Sequence, residues 1–201
     1  MDDPQLEPGD LGPDPLAALR RWLAAARAAG ELQPEAMTLA TVAADGAPRA
    51  RMVLLKGLDP SGLTFFTNHA SDKGRELAHL PLAAAVLYWP RLHRQVRCEG
   101  TVRRISRQDS RAYFESRPRG ARVSAAISPQ SRPVPDRAWL EARSRAYADR
   151  HPAKIPLPLA WGGFQLRPAR VEFWQGRRDR LHDRLRFTRA GSGWVVERLA
   201  P

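Results

Sequence analysis

The sequence contains one cysteine, Cys98, and no long run of apolar residues. A single cysteine excludes an intrachain disulfide and a metal site built from several thiolates. A membrane helix needs about 20 consecutive apolar residues, so no spanning segment and no membrane partner are predicted. The amino end, Met1-Asp2-Asp3-Pro4, is acidic where a signal peptide would be basic. We therefore expect a cytoplasmic protein.

The signatures of the commonest enzymes are also missing. The chain has no zinc-ligand spacing, no glycine-rich phosphate loop and no Gly-x-Ser-x-Gly motif, and no metal is expected. Cys98 lies in the strand-like stretch Val96-Arg97-Cys98-Glu99-Gly100. A cysteine in a strand is more often a small core residue than a nucleophile, which is the role predicted for it.

Charge is distributed unevenly along the chain. Residues 1–50 contain 4 Lys and Arg against 8 Asp and Glu, whereas residues 51–201 contain 29 against 13. A basic body is typical of proteins that bind nucleic acid, an acidic membrane or phosphorylated small molecules. Because no platform of alternating aromatic and basic residues is present, no nucleic-acid partner is expected.

The length of 201 residues fits one domain. Residues 1–13 are rich in acidic residues, proline and glycine and are predicted to form a flexible acidic arm, followed by a single domain over residues 14–201. A helix is predicted from Asp14-Pro15, a hairpin turn at Asp45-Gly46 and a long loop over residues 117–135. About seven or eight mostly antiparallel strands and three or four helices indicate a mainly β fold with peripheral helices, closed as an antiparallel barrel.

The stretch from Val171 to Arg184 combines a strand-like half with a highly charged half. Arg180, His182 and Arg184 are two residues apart, so in an extended chain they would share one face. Two fixed cations around a titratable imidazole suit an anionic aromatic ligand. The alternative interpretation is a solvated, salt-bridged strand end.

Further polar groups are candidates for ligand binding. An offset of five predicts that Arg51 and Lys56 lie on opposite strand faces, although a strand flanked by solvated cations is an alternative. Ser71-Asp72-Lys73 begins a predicted helix, where unpaired backbone N–H groups favour phosphate. The neutral groups of Gln95, Gln130 and Ser131 are of the kind that bind the edge of a heteroaromatic ring.

Several of these stretches together resemble the pyridoxine/pyridoxamine 5′-phosphate oxidase family. The resemblance runs in the same order from about residue 14 to the end of the chain. It rests on Arg51-Met52-Val53-Leu54-Leu55-Lys56, Phe66-Thr67-Asn68, Arg94-Gln95-Val96, Tyr113-Phe114-Glu115-Ser116-Arg117-Pro118-Arg119, Ser128-Pro129-Gln130-Ser131, Trp161-Gly162-Gly163-Phe164, Glu172-Phe173-Trp174-Gln175 and Arg180-Leu181-His182-Asp183-Arg184.

The resemblance implies a homodimeric split barrel that binds FMN noncovalently at the subunit interface. The implied FMN site comprises Arg51, Met52, Val53, Leu54, Leu55, Lys56, Phe66, Thr67, Lys73, Gln95, Gln130, Ser131, Trp174 and Arg184. The implied substrate site comprises Lys56, Tyr113 and Arg117 at the phosphate, with Arg180, Leu181 and His182 at the pyridine ring. Arg180 and His182 are the implied catalytic residues.

The implied reaction is oxidation of pyridoxamine 5′-phosphate, and of pyridoxine 5′-phosphate, to pyridoxal 5′-phosphate. Hydride passes to flavin N5, and O₂ reoxidises the flavin to give hydrogen peroxide. Two other interpretations are a split-barrel flavin reductase with another substrate and a non-catalytic binder of pyridoxal phosphate.

The sequence departs from the family pattern at three places. Asp72 stands where a basic residue usually lies beside the FMN phosphate, and Ala121 stands where a serine commonly helps to bind the substrate phosphate. The amino arm lacks the Arg-x-x-Tyr and Gly-Leu element that is associated with covering the site in relatives. These departures predict one replaced or lost cofactor contact and weaker substrate affinity.

Overall fold

The computed structural model describes residues 5–201. Its strands are β1 (Ala36–Val42), β2 (Pro48–Leu54), β3 (Gly57–Asp59), β4 (Gly62–Asn68), β5 (Leu82–Trp89), β6 (Arg94–Arg104), β7 (Trp161–Gln175), β8 (Asp183–Ala190) and β9 (Gly193–Arg198). Its α-helices are α1 (Pro8–Leu11), α2 (Pro15–Ala28), α3 (Asp72–His79), α4 (Arg107–Ser116), α5 (Arg119–Ile127) and α6 (Arg137–Arg150).

The strands form one antiparallel sheet in the order β2-β1-β5-β6-β7-β4-β3, and β8 and β9 extend it from β7. β2 and β3 lie at opposite ends of this order, yet only Leu55 and Lys56 separate them along the chain. The Lys56 backbone N–H donates to the Thr64 carbonyl on β4 at 2.8 Å. The sheet therefore curls back on itself as a half-barrel, which brings the end of β2 against β4.

Alternating side chains of the curled sheet build the core. In β1, Met37 and Leu39 are fully buried, as the period-two pattern of a half-buried strand requires. α2 covers this core, and its Trp22 meets Phe173 edge to face with ring centroids 5.0 Å apart. A second cluster of buried residues lies under the helices and contains Phe114, Val123, Ile127, Ile155 and Trp161.

The predicted helix starts at Asp14 and Ser71 are confirmed, and Ser106 and Asp136 cap α4 and α6 in the same way. Each side chain accepts a hydrogen bond from a backbone N–H of the first turn, which satisfies a donor that has no partner inside the helix. The hairpin at Asp45-Gly46 is also confirmed, since Asp45 Oδ1 accepts from the Ala47 N–H at 3.0 Å.

Part of the predicted flexible arm is folded in the structure. Residues 1–4 lie outside the described residues, but residues 5–13 include α1 and bury Leu6 and Leu11. The Leu6 N–H donates to Asp183 Oδ2 at 3.1 Å. The acidic and proline content of residues 1–13 favoured disorder, but the two leucines pack into the main core.

Two further predictions were wrong in detail. The long loop predicted over residues 117–135 contains α5, whose buried Val123 and Ile127 lie one helical turn apart. Arg180, His182 and Arg184 do not share one extended face, because Arg178–Arg180 forms a short 3-10 turn. Asp179 and Arg180 have positive φ angles of 57° and 61°, and the strand begins only at Asp183.

In the part of the chain that the structure describes, no helix is long and apolar enough to cross a bilayer.

Candidate active site

A cavity of about 300 Å³ opens beside the end of β2, where the half-barrel meets α4 and α5. Ten predicted site residues line it: Met52, Val53, Leu54, Lys56, Phe66, Thr67, Lys73, Tyr113, Arg117 and Gln130. Met52 and Leu54 are 61% and 40% exposed, which is unusual for large apolar side chains on a strand. Their exposure leaves an apolar wall available to a ligand.

One end of the cavity carries positive charge beside neutral hydrogen-bonding groups. Lys73 Nζ donates to Thr67 Oγ1 at 3.3 Å and to Gln130 Oε1 at 3.5 Å. Burial, together with the positive charge of Arg51, lowers the pKa of Lys73. Both effects make the charged form of Lys73 less favourable while no anion is present. An anion bound here would stabilise the ammonium group of Lys73 and would in turn be stabilised by it.

Arg51 itself does not line this cavity. Its guanidinium donates to Glu76 at 2.8 Å and to the Thr41 hydroxyl. Lys56, five residues on, lines the cavity, in agreement with the predicted opposite faces. Leu55 between them is buried in the core.

The other end of the cavity places a second cation over an aromatic stack. The rings of Phe66 and Tyr113 stack with centroids 3.9 Å apart, and Trp161 stacks on Phe66 at 5.4 Å. The Arg117 guanidinium lies over Trp161 at 4.9 Å from the ring centroid. Arg117 Nη1 is buried and has no hydrogen-bond partner among the described residues.

An unpaired buried guanidinium nitrogen is costly, because it has lost water and gained no acceptor. Burial correspondingly lowers the pKa of Arg117. Arginine matches phosphate geometry with its planar donors, and Lys56 and the Tyr113 hydroxyl belong to the same cavity. This end of the cavity therefore fits a phosphate or carboxylate group.

Three further predicted FMN residues form a separate row across three strands. Gln95 of β6 pairs with Trp174 of β7, which pairs with Arg184 of β8, so the three side chains share one sheet face. Arg184 Nε donates to Glu172 Oε1 at 2.8 Å, and Glu172 is almost fully buried. Among the described residues, none of this row lines the cavity.

The loop after β7 carries the predicted catalytic residues next to this row. The His182 ring packs on Trp174 at 4.7 Å, and its Nδ1 accepts from the Arg177 N–H at 3.0 Å. Because a backbone N–H only donates, this bond fits a neutral ring that carries its proton on Nε2. Arg180 and Leu181 are exposed, and Leu181 keeps 71% of its surface in solvent.

Ser131 and Asp72 lie at the entrance to α3. The Asp72 N–H donates to Ser131 Oγ at 3.2 Å, and the Asp72 carboxylate pairs with Arg75. Ser131 has a positive φ of 69°. The acidic residue found in place of a family cation is thus neutralised by a neighbour on the same helix.

Five further residues line the cavity without having had a predicted role: Asn68, Ser124, Ala125, Ser128 and Trp161. Three of them belong to α5 or its end, which had been predicted as loop. The spacing of Val123 and Ile127 was the available signal for a helix there.

The fold and site together define a half-barrel protein with a cationic, aromatic-lined cavity that suits an anionic group. Residues 23–151 match a family model described as pyridoxamine 5′-phosphate oxidase, and residues 161–201 match one described as the pyridoxine 5′-phosphate oxidase C-terminal dimerisation region. The chain belongs to the pyridoxamine 5′-phosphate oxidase family, and the oxidase class predicted from its sequence is confirmed at that level.

Named relatives cover nearly the whole chain. A pyridoxine/pyridoxamine 5′-phosphate oxidase of Burkholderia cenocepacia is 50% identical over 199 residues, covering 98% of this chain and 93% of that protein. Pyridoxine/pyridoxamine 5′-phosphate oxidase 1 of Ralstonia nicotianae is 51% identical over 197 residues, with the same coverage.

Solved structures share the fold. PhzG from Burkholderia lata, in complex with tetrahydrophenazine-1-carboxylic acid, matches with a TM-score of 0.92 and 32% identity over 98% of both chains. A pyridoxamine 5′-phosphate oxidase-related, FMN-binding protein from Nostoc punctiforme matches with a TM-score of 0.74 and 22% identity, again over 98% of both chains. The predicted split-barrel fold class is thereby confirmed.

Proposed function

We propose that this chain is an FMN-dependent oxidase that converts pyridoxamine 5′-phosphate, and also pyridoxine 5′-phosphate, to pyridoxal 5′-phosphate. The observation that carries the proposal is the buried, unpartnered Nη1 of Arg117 in a cavity shared with Lys56 and Tyr113. This set suits a phosphate monoester, and the names of relatives about 50% identical over the chain support the same substrate class.

FMN fits the remaining groups of the cavity. Met52, Val53 and Leu54 would border its ring system, while Thr67, Lys73 and Gln130 would hold its polar edge and phosphate. When bound, FMN would accept hydride from the substrate and pass the electrons to O₂, giving hydrogen peroxide. The protein's contribution is therefore placement and charge.

A second copy of the chain would complete this site. Gln95, Trp174 and Arg184 lie together outside the cavity, and two of them fall in the segment that matches the dimerisation region. We infer a homodimer in which this row and the His182 loop of one copy face the cavity of the other. Such a site would be assembled only by association.

Each group of residues would then have a separate role in the site. Lys56, Tyr113 and Arg117 hold the substrate phosphate and so fix the distance of the pyridine ring from the flavin. Arg180 lies against that ring, and the neutral His182 presents Nε2–H as a hydrogen-bond donor. The aromatic stack of Phe66, Tyr113 and Trp161 excludes water from the phosphate end.

One anaerobic experiment tests the proposal. Purified protein loaded with FMN is mixed with pyridoxamine 5′-phosphate in the absence of O₂, and the flavin absorbance is followed. We expect the flavin band to bleach and, after O₂ is admitted, to recover with one hydrogen peroxide formed per flavin. A flavin band that does not change on addition of the substrate contradicts the proposal.

A second candidate is oxidation of a partly reduced aromatic carboxylic acid. The observation that favours it is the TM-score of 0.92 to PhzG, which was solved with tetrahydrophenazine-1-carboxylic acid. The lower identity of 32%, against 50% for the B6 phosphate oxidase, makes it the weaker candidate. Bleaching by that acid and not by pyridoxamine 5′-phosphate would reverse this order.

A further inference from the structure

The residue that α5 presents to the cavity differs from the one that the family pattern predicts. The serine associated with the substrate phosphate in relatives is Ala121 in this chain, which has no hydroxyl. Within the described residues, Ala121 does not line the cavity, whereas Ser124 does. Residues three apart on a helix lie on the same side, so Ser124 stands one turn further along the same face.

The Ser124 hydroxyl is available for a ligand. Over residues 5–201 its side chain forms no hydrogen bond with another protein group, and the residue is exposed toward the cavity. The serine hydroxyls that cap helices here are instead engaged, as Ser106 Oγ shows with its 2.9 Å bond from the Asp109 N–H. No hydrogen bond among the described residues uses the hydroxyl of Ser124.

The charged and hydrogen-bonding groups that share the cavity with Ser124 indicate which kind of ligand it would bind. Lys56 and Arg117 bring two cations to the same cavity, and Tyr113 adds a hydroxyl. A phosphate monoester has three terminal oxygens, each of which can accept more than one hydrogen bond. After two cations and a phenol have donated to them, these oxygens can still accept a hydrogen bond from another donor. A short neutral hydroxyl adds a hydrogen bond without adding charge.

We propose that Ser124 is a phosphate-binding residue of the substrate site and replaces the hydroxyl that Ala121 cannot supply. This inference rests on the proposed function, since it assigns one more residue to the phosphate end of that site. It also revises the expectation from Ala121 alone: the phosphate contact is moved by one helical turn and is retained.

The test compares Ser124→Ala with Ser128→Ala, because both serines belong to α5 or its end and both line the cavity. Steady-state oxidation of pyridoxamine 5′-phosphate is measured together with bound FMN. For Ser124→Ala we expect KM to rise about tenfold, which is the effect of losing one hydrogen bond to a charged group. The kcat and the FMN content should not change. An unchanged KM, or a rise confined to Ser128→Ala, overturns the inference.

A second readout separates phosphate binding from a general disturbance of α5. Inorganic phosphate is titrated by calorimetry into the FMN-loaded wild type and into FMN-loaded Ser124→Ala. We expect phosphate to bind the variant about tenfold more weakly, while oxidation of pyridoxamine without its phosphate is equally slow in both. Equal phosphate affinity of the two proteins contradicts the role of Ser124.

The two proposals fail in different ways. If FMN-loaded wild type is not bleached by pyridoxamine 5′-phosphate, the proposed oxidase function is wrong, and the phosphate titration still decides the role of Ser124. If wild type is bleached and Ser124→Ala behaves as wild type in both readouts, the oxidase function stands and only Ser124 is wrongly assigned.

Discussion

Glu172 on β7 holds Arg184 on β8 through a 2.8 Å hydrogen bond from Nε to Oε1, and its other oxygen accepts from Arg97 at 2.7 Å. The carboxylate is 5% exposed, so it is a buried anion whose charge is balanced by two guanidinium groups. The Ala200 carbonyl accepts from Arg184 Nη1 at 2.8 Å, which fixes the guanidinium from a second side. Glu172 therefore sets the direction of the arginine that is proposed to contact the flavin.

We predict that Glu172→Gln weakens FMN binding through Arg184. The amide keeps one acceptor but loses the charge that two guanidinium groups share. A hydrogen bond between charged groups contributes about 1.5–3 kcal/mol, so FMN affinity should fall roughly tenfold or more. Fluorescence titration of the apoprotein with FMN measures this change.

The matched control for that variant is Glu197→Gln. Glu197 pairs with Arg186 at 2.9 Å on the neighbouring strands, but it is half exposed, and such surface pairs contribute about 0–1 kcal/mol. FMN affinity should be the same as in wild type. Equal losses in the two variants would show that Glu172 has no special relation to the flavin site.

Arg117→Ala should impair substrate binding with little effect on FMN. Arg117 Nη1 is buried without a partner in the unliganded protein, so its removal relieves a desolvated group while deleting a phosphate contact. KM for pyridoxamine 5′-phosphate should rise by roughly tenfold or more at unchanged FMN content, and the melting temperature should not fall. Arg111→Ala, an exposed arginine of the preceding helix, should change none of these values.

Arg180→Ala should lower turnover far more than it lowers FMN content. Arg180 is exposed on the loop that also carries His182, and the proposed site directs it at the substrate ring. The exposed neighbour Arg178 provides the control, since Arg178→Ala removes the same charge from the same turn. Parallel loss of flavin and turnover in Arg180→Ala would mean that Arg180 contacts FMN.

His69 should make the fold less stable at mildly acidic pH. Burial, and the positive charges of Arg104 and Arg107, lower the pKa of His69 below its ordinary value of 6.5, and its Nε2 has no partner among the described residues. The unfolded chain therefore takes up the proton first as pH falls. The stabilising neutral ring is fully retained above about pH 6.5 and loses its advantage as pH falls from there toward the lower folded-state pKa.

Urea unfolding at pH 7.5 and at pH 5.5 measures that dependence. One group changes the free energy of unfolding by at most about 1.4 kcal/mol per pH unit, and only the interval from about pH 6.5 to pH 5.5 lies below the unfolded-state pKa of His69. Wild type should therefore lose up to about 1.4 kcal/mol between the two conditions. His69→Gln removes the titrating group and should flatten the difference. A difference that is the same in both proteins assigns the pH dependence to other groups.

The features of this fold that can be predicted from the sequence are those that depend on residues close together in the chain. Caps such as Asp14 and Ser71 act within one helical turn, and the strand pattern of Met37 and Leu39 acts along a single strand, so both were predictable. The Leu6 N–H donates to Asp183, 177 residues away, and local composition gives no indication of that contact.

The candidate site divides in the same way. Lys56, Lys73 and Arg117 were identified from the resemblance, and the structure brings them to one cavity. The proposed role of Ser124 was not predicted because α5 was predicted as loop, and a loop has no helical face that Ala121 and Ser124 share. The turn at Asp179 and Arg180 was not predicted, because no repeating sequence pattern indicates positive φ angles at non-glycine residues.

Mixed dimers test how the two halves of the site are assembled. Arg117 belongs to the cavity, whereas Arg180 belongs to the loop beside Trp174, and we expect a working site to take one from each copy of the chain. Arg117→Ala and Arg180→Ala dimers should each be poorly active. In a heterodimer of the two variants, one site would then carry both substitutions and the other neither.

Random association of equal amounts makes about half of all dimers heterodimers, each with one intact site of two, so about a quarter of wild-type activity should return on co-expression. Two different affinity tags allow the heterodimer to be purified and its activity measured directly, with differently tagged copies of a single variant as the control. If both arginines of a site came from one copy, every site in the heterodimer would contain one of the two substitutions, and no activity would return. Recovered activity therefore requires a site shared between subunits.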